Sequence, residues 1–359
     1  MPKIERLSGR EILDSRGRPT VLATCILEDG TSASASVPSG ASTGTAEAFE
    51  LRDGDAKRYR GLGCRRAAAN IGGELSGALV GRAFTDQAEL DRTMIALDGT
   101  ATKSRIGANA ILAVSVAFAR ACALSRGVPL YQHFADMRGS PANTLPRLTI
   151  NLFSGGKHAG QQVSVQDVLI IPISARTIDE SLVSAFDVYQ AAADLILRKY
   201  GMRLLTADEG GLAPPCKSAE EMLGLAVEAI EQAGYTPGKD VFLGIDVAST
   251  HFYQDRAYQL DGETLDSAGM IQAIARWLDK YPILSVEDGL AEDDWENWPN
   301  LRRTIAGRAL TLGDDLLCTN PSRIDRAIKT KACDALLLKV NQIGTLTERS
   351  EERRVGKEC

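Results

Sequence analysis

Ala335-Leu336-Leu337-Leu338-Lys339-Val340-Asn341-Gln342 sets an alanine and three leucines ahead of a lysine, with two amides close behind. A short apolar run bounded by polar residues suits a buried strand covered on both faces, and the carboxyl end of such a strand is where a barrel enzyme keeps its reacting groups. Three earlier runs end the same way, on carboxylates. They are Val241 to Ile245 before Asp246, Ile283 to Val286 before Glu287-Asp288, and Ala309 to Gly313 before Asp314-Asp315. Positions 246, 287, 314 and 339 stand 41, 27 and 25 residues apart, close to the ~30 of a strand-helix-strand unit. Helical patterns fill the intervals: Met270, Ile271, Ile274, Trp277 and Leu278 share a face, and Asn320-Pro321 supplies an N-cap followed by proline at the first helical position. The alternation predicts a parallel sheet, most simply a β/α barrel. An open doubly wound sheet shares it, but the Gly-x-Gly-x-x-Gly turn of a dinucleotide site is absent.

Upstream, the pattern changes. Ile4 to Leu7, Thr20 to Leu27 and Ser32 to Val37 read as short strands, with a hairpin turn at Glu28-Asp29-Gly30 and the Gly9 to Gly17 stretch between the first two. From Ala67 to Gly127 the period is helical, and Ala108 to Arg120 is apolar nearly all round, which marks a helix buried between layers. Leu148 to Leu152 and Val165 to Ile171 read as strands, a helix follows over 179–200, and Ser218 with Glu221 forms a capping box for the next. With a linker near Gly139-Ser140-Pro141, the 359 residues divide into a capping domain over 1–139 and a partial barrel over 140–348, with a charged tail over 349–359.

Composition narrows the function. A net charge of -6 gives no general attraction for nucleic acid or an anionic membrane, so an anionic substrate must be met by local cations or metal. Met1 to Arg6 lacks the apolar core of a signal peptide, and Ala110 to Ala119 falls short of the ~20 residues of a spanning helix. A cytoplasmic protein is expected, with no nucleic-acid or membrane partner. The 7 cysteines are odd in number and never form a Cys-x-x-Cys pair, which fits reduced, mostly structural thiols.

Three carboxylates on consecutive strand ends repel one another unless a cation neutralises them, and hard oxygen donors point to Mg²⁺. With only 3 histidines in the chain, zinc is disfavoured. A lysine beside divalent cations loses its proton more easily, so Lys339 could act as a general base on a carbon-bound proton. Glu209, in the glycine-rich loop Thr206 to Gly211, could serve the leaving group. Val37 to Gly44 lacks the spacing and lysine of a P-loop, but its hydroxyls could reach a metal.

At these residues the chain resembles the enolase family. The resemblance runs from residue 3 to about 348 and is carried by Gly9 to Gly17, Val37 to Gly44, Lys103 to Ala110, Asp208-Glu209-Gly210-Gly211, Tyr281 to Trp295 and Leu336 to Thr345. It implies an α/β chain in which an enolase-type β/α barrel follows a smaller α+β capping domain and opens with two antiparallel strands and two helices. It implies reversible dehydration of 2-phosphoglycerate to phosphoenolpyruvate, with two Mg²⁺ per complete site. Asp246, Glu287 and Asp314 would hold the first Mg²⁺, Ser42 would help with the second, Lys339 would be the base, and Glu209 with Asp167 would assist departure of hydroxide. His158, Gln166 and Glu287 would line the substrate site, and the whole would be a homodimer or larger homo-oligomer.

Three stretches depart from the pattern. Gln166-Asp167 stands where the family has Gln-Glu, Ser154-Gly155-Gly156 where it has Asn-Gly-Gly, and Thr206-Ala207-Asp208 where it has Gly-Asp. Asp167 and Ser154 motivate one alternative, a superfamily enzyme acting on a different acid; another is a non-catalytic binding protein that keeps the fold, against which the retained Asp246, Glu287, Asp314, Lys339 and Glu209 argue. Residues 349–359 leave the pattern abruptly and read as the translation of a common sequencing adapter. The expectation is therefore an incomplete barrel of about six of eight strands, inactive and aggregation-prone as a 359-residue chain, with the complete gene product an enzyme.

Overall fold

The computed structural model describes residues 2–40, 44–201 and 205–349. These divide into two compact units, one of residues up to 145 with 318–325 and 338–349, the other of 146–317 with 326–337.

The first unit opens with an antiparallel sheet in which β1 (Ile4–Leu13), β2 (Pro19–Leu27) and β3 (Ser32–Ser36) pair in order. Every second residue of β2 (Val21, Ala23, Cys25, Leu27) is buried, the period of a strand with one face on a core. The Asp29-Gly30 hairpin turn forms as expected, with Gly30 at φ 83°. The first strand is longer than the expected Ile4 to Leu7 piece. β1 runs through Gly9-Arg10-Glu11-Ile12-Leu13 and pairs with β2 as far as Pro19, leaving only 14–18 as the turn. Pairing with β2 overrides the weak strand propensity of this segment. Gly9 is required there because a Cβ would lie 2.4 Å from the Ala68 carbonyl oxygen.

Helices cover the other face of that core. α1 (Arg65–Asn70) continues through a π-turn at Ile71–Leu75 into α2 (Ser76–Leu79), followed by α3 (Gln87–Asp98), α4 (Ala108–Ser125) and α5 (Leu130–Arg138). α4 is longer than its most apolar stretch suggested: its 18 residues are apolar enough to cross a membrane, but 78% of them are buried, against β2 and β3 among others.

The second unit begins with β4 (Ile150–Ser154), β5 (Asp167–Pro172), α6 (Ile178–Tyr200), α7 (Ala219–Gln232) and β6 (Val241–Asp246). A small antiparallel meander of β7 (Tyr253–Gln254), β8 (Ala257–Leu260) and β9 (Glu263–Leu265) precedes α8 (Ser267–Lys280), β10 (Ile283–Glu287), α9 (Trp298–Ile305) and β11 (Leu310–Gly313). The chain continues through α10 (Pro321–Thr330), β12 (Ala335–Leu336) and α11 (Val340–Ile343). α6 carries a full capping box between Thr177 and Glu180. At α7 Ser218 caps as expected, but the Glu221 carboxylate accepts from Lys217 N–H instead of closing the box.

Across the main sheet the order is β12-β11-β10-β6-β5-β4. β6, β10, β11 and β12 are parallel, and β5 runs antiparallel to both neighbours. Two antiparallel strands and two helices thus precede the regular units. Among the described residues β12 and β4 do not pair, so the barrel is not closed. The buried strand expected over Ala335 to Lys339 is cut short. Only Ala335–Leu336 is strand, with Leu337 N–H still reaching the Gly313 carbonyl, and Ala335 to Val340 are half-buried. β12 has β11 as its one strand neighbour among the described residues, so the ladder ends there, although Lys339 keeps an extended backbone at φ -125°.

Candidate active site at the strand ends

Register brings the candidate carboxylates into a row. Asp246 ends β6, Glu287 ends β10 directly beside it, and Asp314 follows the last residue of β11. Because β5 is reversed, its first residue, Asp167, lies opposite Asp246 on one side and opposite Ser154, the last residue of β4, on the other. Gln166 precedes it. Five elements far apart in sequence therefore deliver Ser154, Asp167, Asp246, Glu287 and Asp314 to one end of the sheet.

Each is held by specific bonds. Asp246 is buried; its Oδ2 accepts from Gln166 Nε2 at 2.9 Å and its Oδ1 from Ala248 N–H at 3.0 Å. Ala248 adopts φ 47° to make that turn, a conformation that costs a non-glycine residue energy and recurs at functional loops. Gln166 is also buried, and its Oε1 has no hydrogen-bond partner among the described residues. Asp167 Oδ1 accepts from Ser154 Oγ at 2.5 Å and Asn151 Nδ2 at 2.7 Å.

Asp288 was missed as a site residue by sequence reasoning. It leaves β10 at φ 41°, is buried, and its two carboxylate oxygens accept the backbone N–H groups of Asp314 (3.0 Å) and Asp315 (2.7 Å). Asp288, Asp314 and Asp315 each offer an oxygen within 4.8 Å of the others, a buried acidic group that could hold a metal ion. Burial, reinforced by the charges of Asp315, Asp314 and Asp246, pushes the Asp288 carboxyl well above the usual carboxylate range. An all-oxygen, buried, mutually repelling donor set fits a hard divalent cation. The signal for Asp288 was present as the doubled acids Glu287-Asp288 and Asp314-Asp315, but residue type alone does not separate a ligand from a clamp.

Glu209 is exposed in a turn closed by Gly210 N–H to the Ala207 carbonyl. The loop is seated on β4: Leu212 N–H donates to the Leu152 carbonyl, and Ser154 N–H donates to the Leu212 carbonyl. Gly211 passes so close that a Cβ would lie 2.5 Å from Ser154 Oγ and 2.7 Å from Asn151 Oδ1.

Lys339 belongs to the first unit, where it caps α11. Its N–H donates to Thr319 Oγ1 at 2.9 Å, and the Thr319 hydroxyl donates to Gln342 Oε1 at 2.8 Å. The segment beyond is fastened there by the buried Lys103 paired with Glu348 at 2.8 Å, and by Asp91 accepting from the amide and hydroxyl of Thr347. His158 lies in the 3₁₀ turn Gly156–Ala159 with its side chain outside the described part, and Ser42 lies outside the described residues altogether.

Residues 4–134 match the family model described as the enolase N-terminal domain, and residues 142–359 match the one described as the enolase C-terminal TIM barrel domain.

Proposed function

From the premise that this chain belongs to the enolase family, we propose that the gene product catalyses the reversible, Mg²⁺-dependent dehydration of 2-phosphoglycerate to phosphoenolpyruvate. The observation that carries the reading is the alignment of Asp246, Glu287 and Asp314 on three adjacent parallel strand ends. In this reading those carboxylates hold one Mg²⁺, with Ser42 contributing to a second. Bound there, the metal neutralises the carboxylates and stabilises negative charge developing on the substrate carboxylate. A lysine base paired with Mg²⁺ is the known pattern of the enolase superfamily.

The proton on C2 of the substrate is weakly acidic, and Lys339 Nζ accepts it. The C3–O bond then breaks, the electron pair from C2 forms the C2–C3 double bond, and Glu209 supplies the proton with which the oxygen leaves as water. Asp167 acts beside Glu209 at the leaving group, Gln166 orients the substrate through its unpartnered Oε1, and His158 lines the pocket. The expected assembly is a homodimer or larger homo-oligomer, and the expected location is the cytoplasm.

The bond between Ser154 and Asp167 also favours a second reading, a superfamily enzyme acting on another 2-substituted carboxylate, because both residues depart from the family pattern. Ultraviolet absorbance of phosphoenolpyruvate separates the two. Mg²⁺-dependent product from 2-phosphoglycerate, lost on chelation, supports the first. Turnover of another acid with none of 2-phosphoglycerate overturns it.

A further inference from the structure

Two positions that depart from the family pattern, 154 and 167, meet in one hydrogen bond of 2.5 Å. Ser154 is the last residue of β4, fully buried, and Asn151 stands three residues earlier on the same strand. Both donate to a single oxygen, Asp167 Oδ1, and Asn151 Nδ2 also approaches Ser154 Oγ at 3.3 Å. Two donors on one carboxylate oxygen fix the plane and direction of the group, and bonds of this charge-assisted kind are the strong ones. The same two side chains form the wall against which Gly211 packs.

We propose that Asn151 and Ser154 are the positioning residues of Asp167. β4 therefore sets where the leaving-group acid presents itself, and a short acid at 167 is matched by a short hydroxyl at 154. The proposal rests on the reading of Asp167 and Glu209 as the pair that serves the departing oxygen. It also makes Gly211 a reporter. A methyl group there would displace the Ser154 hydroxyl, which can rotate away, so Gly211→Ala would break the Asp167 contact while leaving Glu209 chemically untouched.

Two measurements on the protein test this. The 3 tryptophans of this sequence (Trp277, Trp295, Trp298) lie in the second unit, so their fluorescence follows its unfolding in urea. Ser154→Ala and Asp167→Asn should be non-additive by about tenfold in the unfolding constant, as expected for a charge-assisted bond. In turnover, Ser154→Ala and Gly211→Ala should each lower kcat about tenfold with KM within about twofold, the mark of an interaction used in the transition state. In an Asp167→Asn background neither should lower kcat further. Additive unfolding effects would overturn the proposal whatever the activity. So would losses of kcat that persist undiminished in the Asp167→Asn background, and Asn151→Ala offers an independent third variant should Gly211→Ala fail to fold. A wild type that does not turn over 2-phosphoglycerate but shows the unfolding coupling would sink the functional reading and leave the positioning role standing.

Discussion

Replacing Asp288 by asparagine removes one oxygen and changes almost no volume. In the structure both Asp288 oxygens are used, one on the Asp314 amide at 3.0 Å and one on the Asp315 amide at 2.7 Å. Asparagine offers one acceptor and turns an NH₂ toward the other amide, so one bond to a charged acceptor is lost, about 1.5–3 kcal/mol. Against that, the substitution takes away a buried acid crowded by Asp315, Asp314 and Asp246, whose repulsion is of the opposite sign. The two effects offset, so the urea midpoint of the second unit should move little. The Asp314 backbone, freed from one side of its clamp, should place its carboxylate less well. Partners that orient ligands in this way typically carry 10–100-fold in metal affinity or activity. Titration calorimetry with Mg²⁺ should therefore show a weakening of about 10-fold or more at nearly unchanged stability. Affinity within twofold of wild type would refute the idea that Asp288 organises the site.

Other expectations concern the first unit. Glu348→Gln leaves the Lys103 ammonium buried without its charge and should destabilise more than Lys103→Met, which leaves a partly exposed carboxylate able to reach water; breaking buried pairs costs up to about 3–5 kcal/mol, and equal losses by amide exchange in α4 would contradict this. Glu11 is held below the usual carboxylate range, first by its hydrogen bond to Arg58. Its stabilisation is therefore present above the unfolded value of about 4.3 and lost as pH falls through the lower folded value. Melting temperature followed by circular dichroism should drop over that acid range, and Glu11→Gln should flatten the drop; an unchanged slope would count against it. Gly9→Ala should destabilise by about 1–3 kcal/mol, because the added Cβ meets backbone that cannot rotate away; a neutral result would mean that β1 and α1 separate easily.

The parallel part of the barrel was legible because strand ends carry a signal that does not depend on neighbours: an apolar run closed by a charged residue, repeated at the length of one strand and one helix. Asp246, Glu287 and Asp314 stand out by that rule; register sets Asp246 beside Glu287, and Asp314 follows two residues after Leu312, the β11 partner of Glu287. What the rule missed depends on partners distant in sequence. Gly9 to Leu13 becomes strand because β2 lies alongside, and Leu338-Lys339 is not strand because nothing among the described residues pairs beyond Leu337. Asp288 differs from Glu287 in function by a backbone turn at φ 41°, which side-chain chemistry does not announce. The link between Ser154 and Asp167 was visible as two separate departures, and only the pairing of β4 with β5 joins them.

The most direct test of the proposed chemistry follows the proton on C2. 2-Phosphoglycerate carrying deuterium at C2, incubated with the protein and Mg²⁺ in ordinary water, should lose that deuterium and yield phosphoenolpyruvate, and Lys339→Ala should abolish both. Retention of the label by the Mg²⁺-saturated wild type, or loss of it at an undiminished rate in Lys339→Ala, would contradict the account.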